Sequence, residues 1–112
     1  NSQEAQELLT AYRQRYGEDI PVCAIYGYQS IMVLADALRR AGTTEAGALR
    51  DALAETALDD HVLPQGTILF DETGENINSA GVLIQIQGGK QVIVYPEEYA
   101  EAEMILKKEE TD

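Results

Sequence analysis

From Val22 to Leu38 almost every residue is apolar or small, and at 3.6 residues per turn the run divides into two stripes. Ala24, Tyr28, Ile31, Met32, Ala35 and Leu38 form one stripe, and Ser30, Leu34, Ala37 and Ala41 form the other. A helix apolar on two sides is a buried helix, so the pattern predicts a central helix over 22–41 with neighbours on both faces. Upstream, Ala5, Leu8, Leu9, Tyr12 and Tyr16 repeat at three and four, which predicts a helix with one buried side. Gly17 stands where a left-handed cap ends it, and Glu18 to Pro21 form a short connector. Downstream, Gly42 offers another stop, and Thr43 or Thr44 is placed to cap a third helix by accepting a backbone N–H. Ala46, Leu49, Leu53 and Ala57 mark its buried face, and Gly47 inside it costs up to about 1 kcal/mol relative to Ala.

The pattern then changes period. Leu58 to Gln65, with Asp59, Asp60, His61 and Pro64, reads as a loop, and Thr67 to Phe70 as a short strand. Asp71-Glu72-Thr73-Gly74 reads as a turn, because Asp can bond its own backbone and Gly takes positive φ. Val82–Gln87 and Gln91–Tyr95 flank Gly88-Gly89-Lys90, a hairpin signal. Pro96 is placed to open a last helix with Tyr99, Ala102, Ile105 and Leu106 on its apolar side, fraying from Lys107 to Asp112. The class predicted is α/β: three helices, a short strand, a β-hairpin and a C-terminal helix.

The 112 residues suffice for one core and are read as a single unit. The first residue is Asn1 and a helical pattern begins at once, so the expectation is a piece cut from a longer chain. Net charge is -12, from 20 acidic and 8 basic residues. A surface that negative repels phosphate backbones and anionic membranes, and no basic cluster larger than Arg39-Arg40 or Lys107-Lys108 offsets it, which argues against nucleic acid as a partner. One cysteine, Cys23, allows no internal disulfide and no cysteine-based metal cluster. No apolar run reaches the length of a membrane span, and any secretion signal is expected upstream of these residues.

Chemistry-bearing constellations are sparse. His61 is the single histidine, beside Asp59 and Asp60, and with no second histidine or framed nucleophile it reads as a solvent-facing loop residue. Asp71, Thr73 and Glu75 alternate like calcium-loop ligands, but Asn76 and Val82 stand where such a loop needs Gly and Glu. Gly88-Gly89 lacks the lysine, hydroxyl and helix start of a phosphate cradle. The six tyrosines lack interleaved basic residues, and most read as core-edge positions. No catalytic residue, metal or cofactor is assigned.

The order of motifs resembles a known family. Leu8 to Pro21, read as a helix followed by Tyr16-Gly17, an acidic spacer and a proline, resembles a block of bacterial branched-chain amino-acid-type solute-binding proteins, the type I periplasmic receptors of ABC importers. Tyr26-Gly27-Tyr28-Gln29-Ser30, then Leu34-Ala35-Asp36-Ala37-Leu38 and Ala41-Gly42, is similar to that family's YDA…LA.AL..AG helix, and Leu49-Arg50-Asp51-Ala52-Leu53 to the helix after it. Gln65 to Gly74 resembles its G-T-I-x-F-D-x-x-G strand and turn, Val82 to Val94 its hairpin, and Val94-Tyr95-Pro96-Glu97-Glu98-Tyr99-Ala100 its C-terminal block. Gln29 departs from the family's usual Asp and alters one polar contact at the helix start, and Lys107-Lys108-Glu109-Glu110 replaces a proline-rich end.

The resemblance implies a partial type I periplasmic-binding-protein lobe. In such proteins two α/β lobes close on a small solute without catalysis. Residues 1–80 would supply first-lobe helices and a strand, and residues 81–112 a crossing hairpin and the C-terminal helix. The implied ligand is a small polar, amino-acid-like solute, the implied partner an ABC permease, and the implied location periplasmic or extracellular. A ligand-lining aromatic of the family, about five residues ahead of its tyrosine, falls here at Cys23, with Tyr26 the nearest aromatic, so Cys23 and Tyr26 are the ligand-binding candidates. Plain helix packing competes with that role at both. The alternative function is a ligand-sensing ectodomain of a receptor or signalling protein, distinguished by a membrane span beyond Asp112, and a free-standing enzyme or interaction module is a third. A two-sided helix short of neighbours also predicts self-association of the chain.

Overall fold

The computed structural model describes residues 2–107 and divides into two compact units, the boundary falling after Ser79. The first unit carries α1 (Gln3–Tyr16), α2 (Val22–Ala41), α3 (Ala46–Ala54), β1 (Ala57–Leu58) and β2 (Ile68–Leu69). The second carries β3 (Leu83–Gln87), β4 (Lys90–Tyr95) and a single 3-10 turn at Glu97–Tyr99.

Helix ends obey local chemistry. Ser2 caps α1 by accepting from Ala5 N at 3.1 Å, and the left-handed Gly17 (φ 75°) closes it with its N–H on Arg13 O at 2.8 Å. Gly42 (φ 67°) closes α2 in the same way on Leu38 O at 2.9 Å. These left-handed positions carry almost no penalty for a residue without Cβ. For α3 the cap is not a threonine. Glu45 takes the position, its carboxylate accepting from Gly47 N at 2.9 Å and Ala48 N at 2.8 Å, while Thr43 Oγ1 accepts from Glu45 N at 3.2 Å. Those backbone donors hold the Glu45 carboxyl below the usual glutamate range. The missing Cβ of Gly47 makes room for this cap, since a Cβ there would meet Glu45 Oε2 at 3.2 Å.

Ala57 does not extend the buried face of α3. It is exposed and begins β1, which pairs antiparallel with β2 (Ala57 with Leu69, Leu58 with Ile68) in the stretch expected to start a loop. Phe70 then bridges to Asn76 around the expected turn. Asp71 Oδ1 accepts from Thr73 N, Thr73 Oγ1 and Glu75 N at 2.6–3.0 Å, which depresses its carboxyl as well.

The core of this unit is small. Ala37, Ala52 and Ile68 are its buried apolar residues, joined by buried Gln29, Thr56 and His61. Burying one Ile side chain contributes roughly 1.5–3 kcal/mol, so Ile68 at 2 % exposure is its heaviest anchor. Arg40 ties α2 to α3. Its guanidinium donates to Ala52 O at 2.8 Å, one of the end carbonyls α3 cannot satisfy itself, to Thr56 Oγ1 at 3.2 Å and to Asp36 Oδ2 at 3.0 Å.

In the second unit the hairpin forms as predicted. Gly88 and Gly89 both take positive φ (57° and 77°), as a two-residue turn between twisted strands requires. A bulge between Leu83 and Ile84 leaves Val94 without an opposite partner, since Leu83 faces Tyr95 and Ile84 faces Ile93. The predicted C-terminal helix shortens to Glu97–Tyr99, and Ala100 to Lys107 take no helical form. The hairpin meets the backbone groups that a helix would have used. Ile93 O accepts from Glu101 N at 2.8 Å, Gln85 pairs its amide with both Ile105 N (2.9 Å) and Ile105 O (2.8 Å), and Gln87 Nε2 reaches Glu103 O at 2.8 Å. The expected fraying of 108–112 lies outside the described residues.

Candidate functional site

Cys23 and Tyr26 sit three residues apart on the opening turns of α2, and both are exposed, Tyr26 at 55 %. From Cys23 the same side of the helix continues through Gly27, Ile31 and Leu34. Ile31 is 64 % exposed and Leu34 36 %. Both predicted stripes are thus only partly buried: in the first, Tyr28, Ile31 and Met32 are exposed and Ala24, Ala35 and Leu38 half-buried, and in the second, Ser30 and Leu34 are exposed, Ala41 half-buried and Ala37 buried. The buried polar residue of the helix, Gln29, lies on neither stripe, next to half-buried Val33. Among the described residues no helix is long and apolar enough to cross a membrane. Cys23 is not the packed small residue its apolar surroundings suggested.

His61 reverses its expectation. It is 6 % exposed, its Nδ1 accepts from Leu63 N at 3.2 Å and its Nε2 lies 2.9 Å from Gly66 O. Those partners assign the neutral Nε2–H tautomer, a ring that staples its own loop. The loop is anchored twice more, by Ser2 Oγ donating to His61 O at 3.1 Å and by Val62 N donating to Gln29 Oε1 at 3.0 Å. A free-standing His–Asp pair for proton transfer is not what this arrangement offers.

Where α1, the first half of α2 and this loop converge, two cavities open. One of about 370 Å³ has Leu8, Tyr28 and Met32 as apolar walls, Glu4, Glu7 and Asp60 as carboxylates, and Gln29 among its lining residues. The second, about 420 Å³, shares Glu4, Glu7 and Asp60 and continues to Ser2, Asp59 and His61. Gln29 is 3 % exposed and its Nε2 has no hydrogen-bond partner, a deficit of about 1–3 kcal/mol for a buried donor. Neither cavity includes Cys23 or Tyr26. No cluster of three or more His, Cys, Asp or Glu residues among the described residues is arranged to hold a metal ion. Reading the sequence missed this groove, although Gln29, a polar residue inside an apolar run, was its visible trace.

A family model described as periplasmic binding protein matches residues 1–91. The Leu/Ile/Val-binding protein homolog 7 of Brucella abortus (strain 2308) is 28% identical over 103 residues, covering 90% of this chain and 26% of that protein. The protein of the same name from Brucella suis biovar 1 (strain 1330) shows the same identity and coverage. The crystal structure of a leucine binding protein, LivK, from Thermotoga maritima MSB8 matches with a TM-score of 0.69 and 26% identity, covering 83% of this chain and 26% of that chain. The chain thus spans about a quarter of the length of the relatives it matches.

Proposed function

The chain belongs to the periplasmic binding protein family, and on that premise we propose that it is the C-terminal part of an extracytoplasmic solute-binding protein that captures a small polar, amino-acid-like solute. The parent delivers that solute to an ABC permease. Capture is non-covalent: closure of two lobes around the solute shifts the population toward a form the permease recognises, and no residue acts as a catalyst. The observation that supports this reading most is the family match over residues 1–91, with relatives named for leucine or Leu/Ile/Val binding.

Within that scheme residues 1–80 belong to the first lobe and residues 81–112 to a crossing hairpin and the C-terminal segment. Cys23 and Tyr26 contribute to the cleft wall. Their exposure on one side of the start of α2 supports the role, since a cleft residue must reach its ligand. A thiol at position 23 presents less surface than an aromatic ring, which favours a bulkier solute.

Titration calorimetry of the parent polypeptide against a panel of amino acids tests the proposal. Saturable one-to-one heat with at least one apolar or polar amino acid, weakened by Tyr26→Ala, is the expected result. Silence across the panel would overturn the solute class. The 112-residue chain alone is expected to bind the same solute weakly or not at all, and micromolar binding by it would refute the division between lobes.

A further inference from the structure

We propose that the His61 loop is a pH-sensitive latch: with a neutral ring it ties the start of α1 to α2, and protonation of the ring releases that tie. The latch lies apart from the residues assigned to solute capture.

Geometry selects the neutral form. His61 is 6 % exposed, and its ring nitrogens play opposite parts, Nε2–H donating to Gly66 O at 2.9 Å and Nδ1 accepting from Leu63 N at 3.2 Å. A second proton on the ring leaves the first bond intact and turns the other into two N–H groups facing each other. The charged ring therefore does not fit the closed loop. That loop holds two joints. Ser2 Oγ caps α1 by accepting from Ala5 N, and it donates its own hydrogen to His61 O at 3.1 Å. Val62 N, between the two residues that the ring joins, donates to Gln29 Oε1 on α2 at 3.0 Å. Turning the ring out of the loop disturbs both.

A destination for the charged ring stands beside it. The cavity of about 420 Å³ that His61 lines carries the carboxylates of Glu4 and Glu7 from α1 and of Asp59 and Asp60 from the loop, and none of its lining residues is Lys or Arg. α2 adds neutral Gln29 and, in the adjoining cavity, the Tyr28 phenol. An imidazolium turned toward this groove meets four carboxylates and no like charge. One lost neutral hydrogen bond and a few screened carboxylate contacts are of similar size, so the release is local and leaves the melting temperature unchanged.

The test is an NMR titration of the full chain between about pH 7.5 and pH 5, the range in which histidine ordinarily changes charge. His61 is the single histidine, so its ring Cε1–H signal is unambiguous. That signal and the amides of Val62, Leu63 and Ala5 should move along one sigmoid. Hydrogen-exchange protection at Val62 and Leu63, corrected for the pH dependence of intrinsic exchange, should fall about tenfold or more across it. The hairpin amides of Gln85 and Val92 should keep theirs. His61→Asn supplies a carbonyl oxygen for Leu63 N and takes up no proton in this range, so its loop should stay protected at the acid end. Glu4→Gln/Glu7→Gln, at two exposed α1 positions, should move the wild-type sigmoid to lower pH. A ring that titrates while Val62 and Leu63 keep their protection would overturn the latch. So would a ring that takes no proton before acid unfolding, the same loss of protection in His61→Asn, or a midpoint indifferent to Glu4 and Glu7. None of these outcomes depends on whether the parent binds an amino acid.

Discussion

The two sides of α2 meet different fates. One side is finished by its own chain: Ala37 is fully buried, Gln29 receives Val62 N, and Arg40 reaches across to the end of α3. The other side, through Gly27 and Ile31, is open among the described residues, and Ile31 keeps 64 % of its surface. An apolar stripe specifies a demand for cover without specifying who supplies it. On the finished side the chain itself answers the demand with a cap, a loop and a guanidinium. On the bare side Ile31 keeps most of its surface without such an answer.

Paired truncations separate the two sides most strongly. Ile68→Ala, at a position 2 % exposed, should cost about 2–5 kcal/mol in urea unfolding. Ile31→Ala removes the same atoms from the bare side and should stay within about 0.5 kcal/mol. Equal costs would erase the distinction between the sides. Next comes the α2–α3 joint. Arg40→Met keeps an apolar stem but loses the bonds to Ala52 O, Thr56 Oγ1 and Asp36, an expected loss of about 1–3 kcal/mol. Arg39→Met, one position further round the helix, should be nearly silent in the same titration.

Acid sharpens the contrast more gently. The Glu45 and Asp71 carboxyls titrate lower in the folded chain than in the unfolded one, because backbone and hydroxyl donors favour their charged forms. Their contribution is therefore complete above the unfolded values and is lost as pH falls through the folded ones. Thermal melts should be flat above about pH 5 and decline below about pH 4. Glu45→Gln should lower the melting temperature near neutrality and flatten the acid limb, and an unchanged acid limb would remove Glu45 from the account. The smallest effect belongs to Gly47→Ala. A propensity gain of up to about 1 kcal/mol is opposed by a new Cβ at 3.2 Å from the cap carboxylate, so the net change should lie close to zero.

The three helices and the hairpin were legible because each rests on a repeat longer than one turn or on a turn with a fixed residue requirement. α2 was bounded to the residue by Pro21 and Gly42, and the hairpin by Gly88-Gly89. What escaped depends on contacts distant in sequence. β1 is two residues long and has no period to read. The helix expected after Pro96 loses its hydrogen bonds to Gln85, Gln87 and Ile93, which no periodicity of its own segment could announce. His61 looked solvated because its neighbours in sequence are acidic, yet its ring bonds backbone groups two and five residues ahead. The groove at Glu4, Glu7, Gln29 and Asp60 forms only when α1 and the His61 loop approach α2. Cys23 and Tyr26 were named from a family resemblance, and the structure places both on the surface without bringing them to either cavity.

Whether α2 presents one covered and one uncovered side is measured by a cysteine-accessibility scan. Cys23 is replaced by serine, single cysteines are placed in turn along 22–41 of the 112-residue chain, and the alkylation rate is recorded under native conditions at low protein concentration. Helical oscillation is expected, with residues 27 and 31 reacting near the rate of an unfolded peptide and residues 29 and 37 slowed by orders of magnitude. Uniform protection around the helix, or protection centred on residue 31, would contradict it.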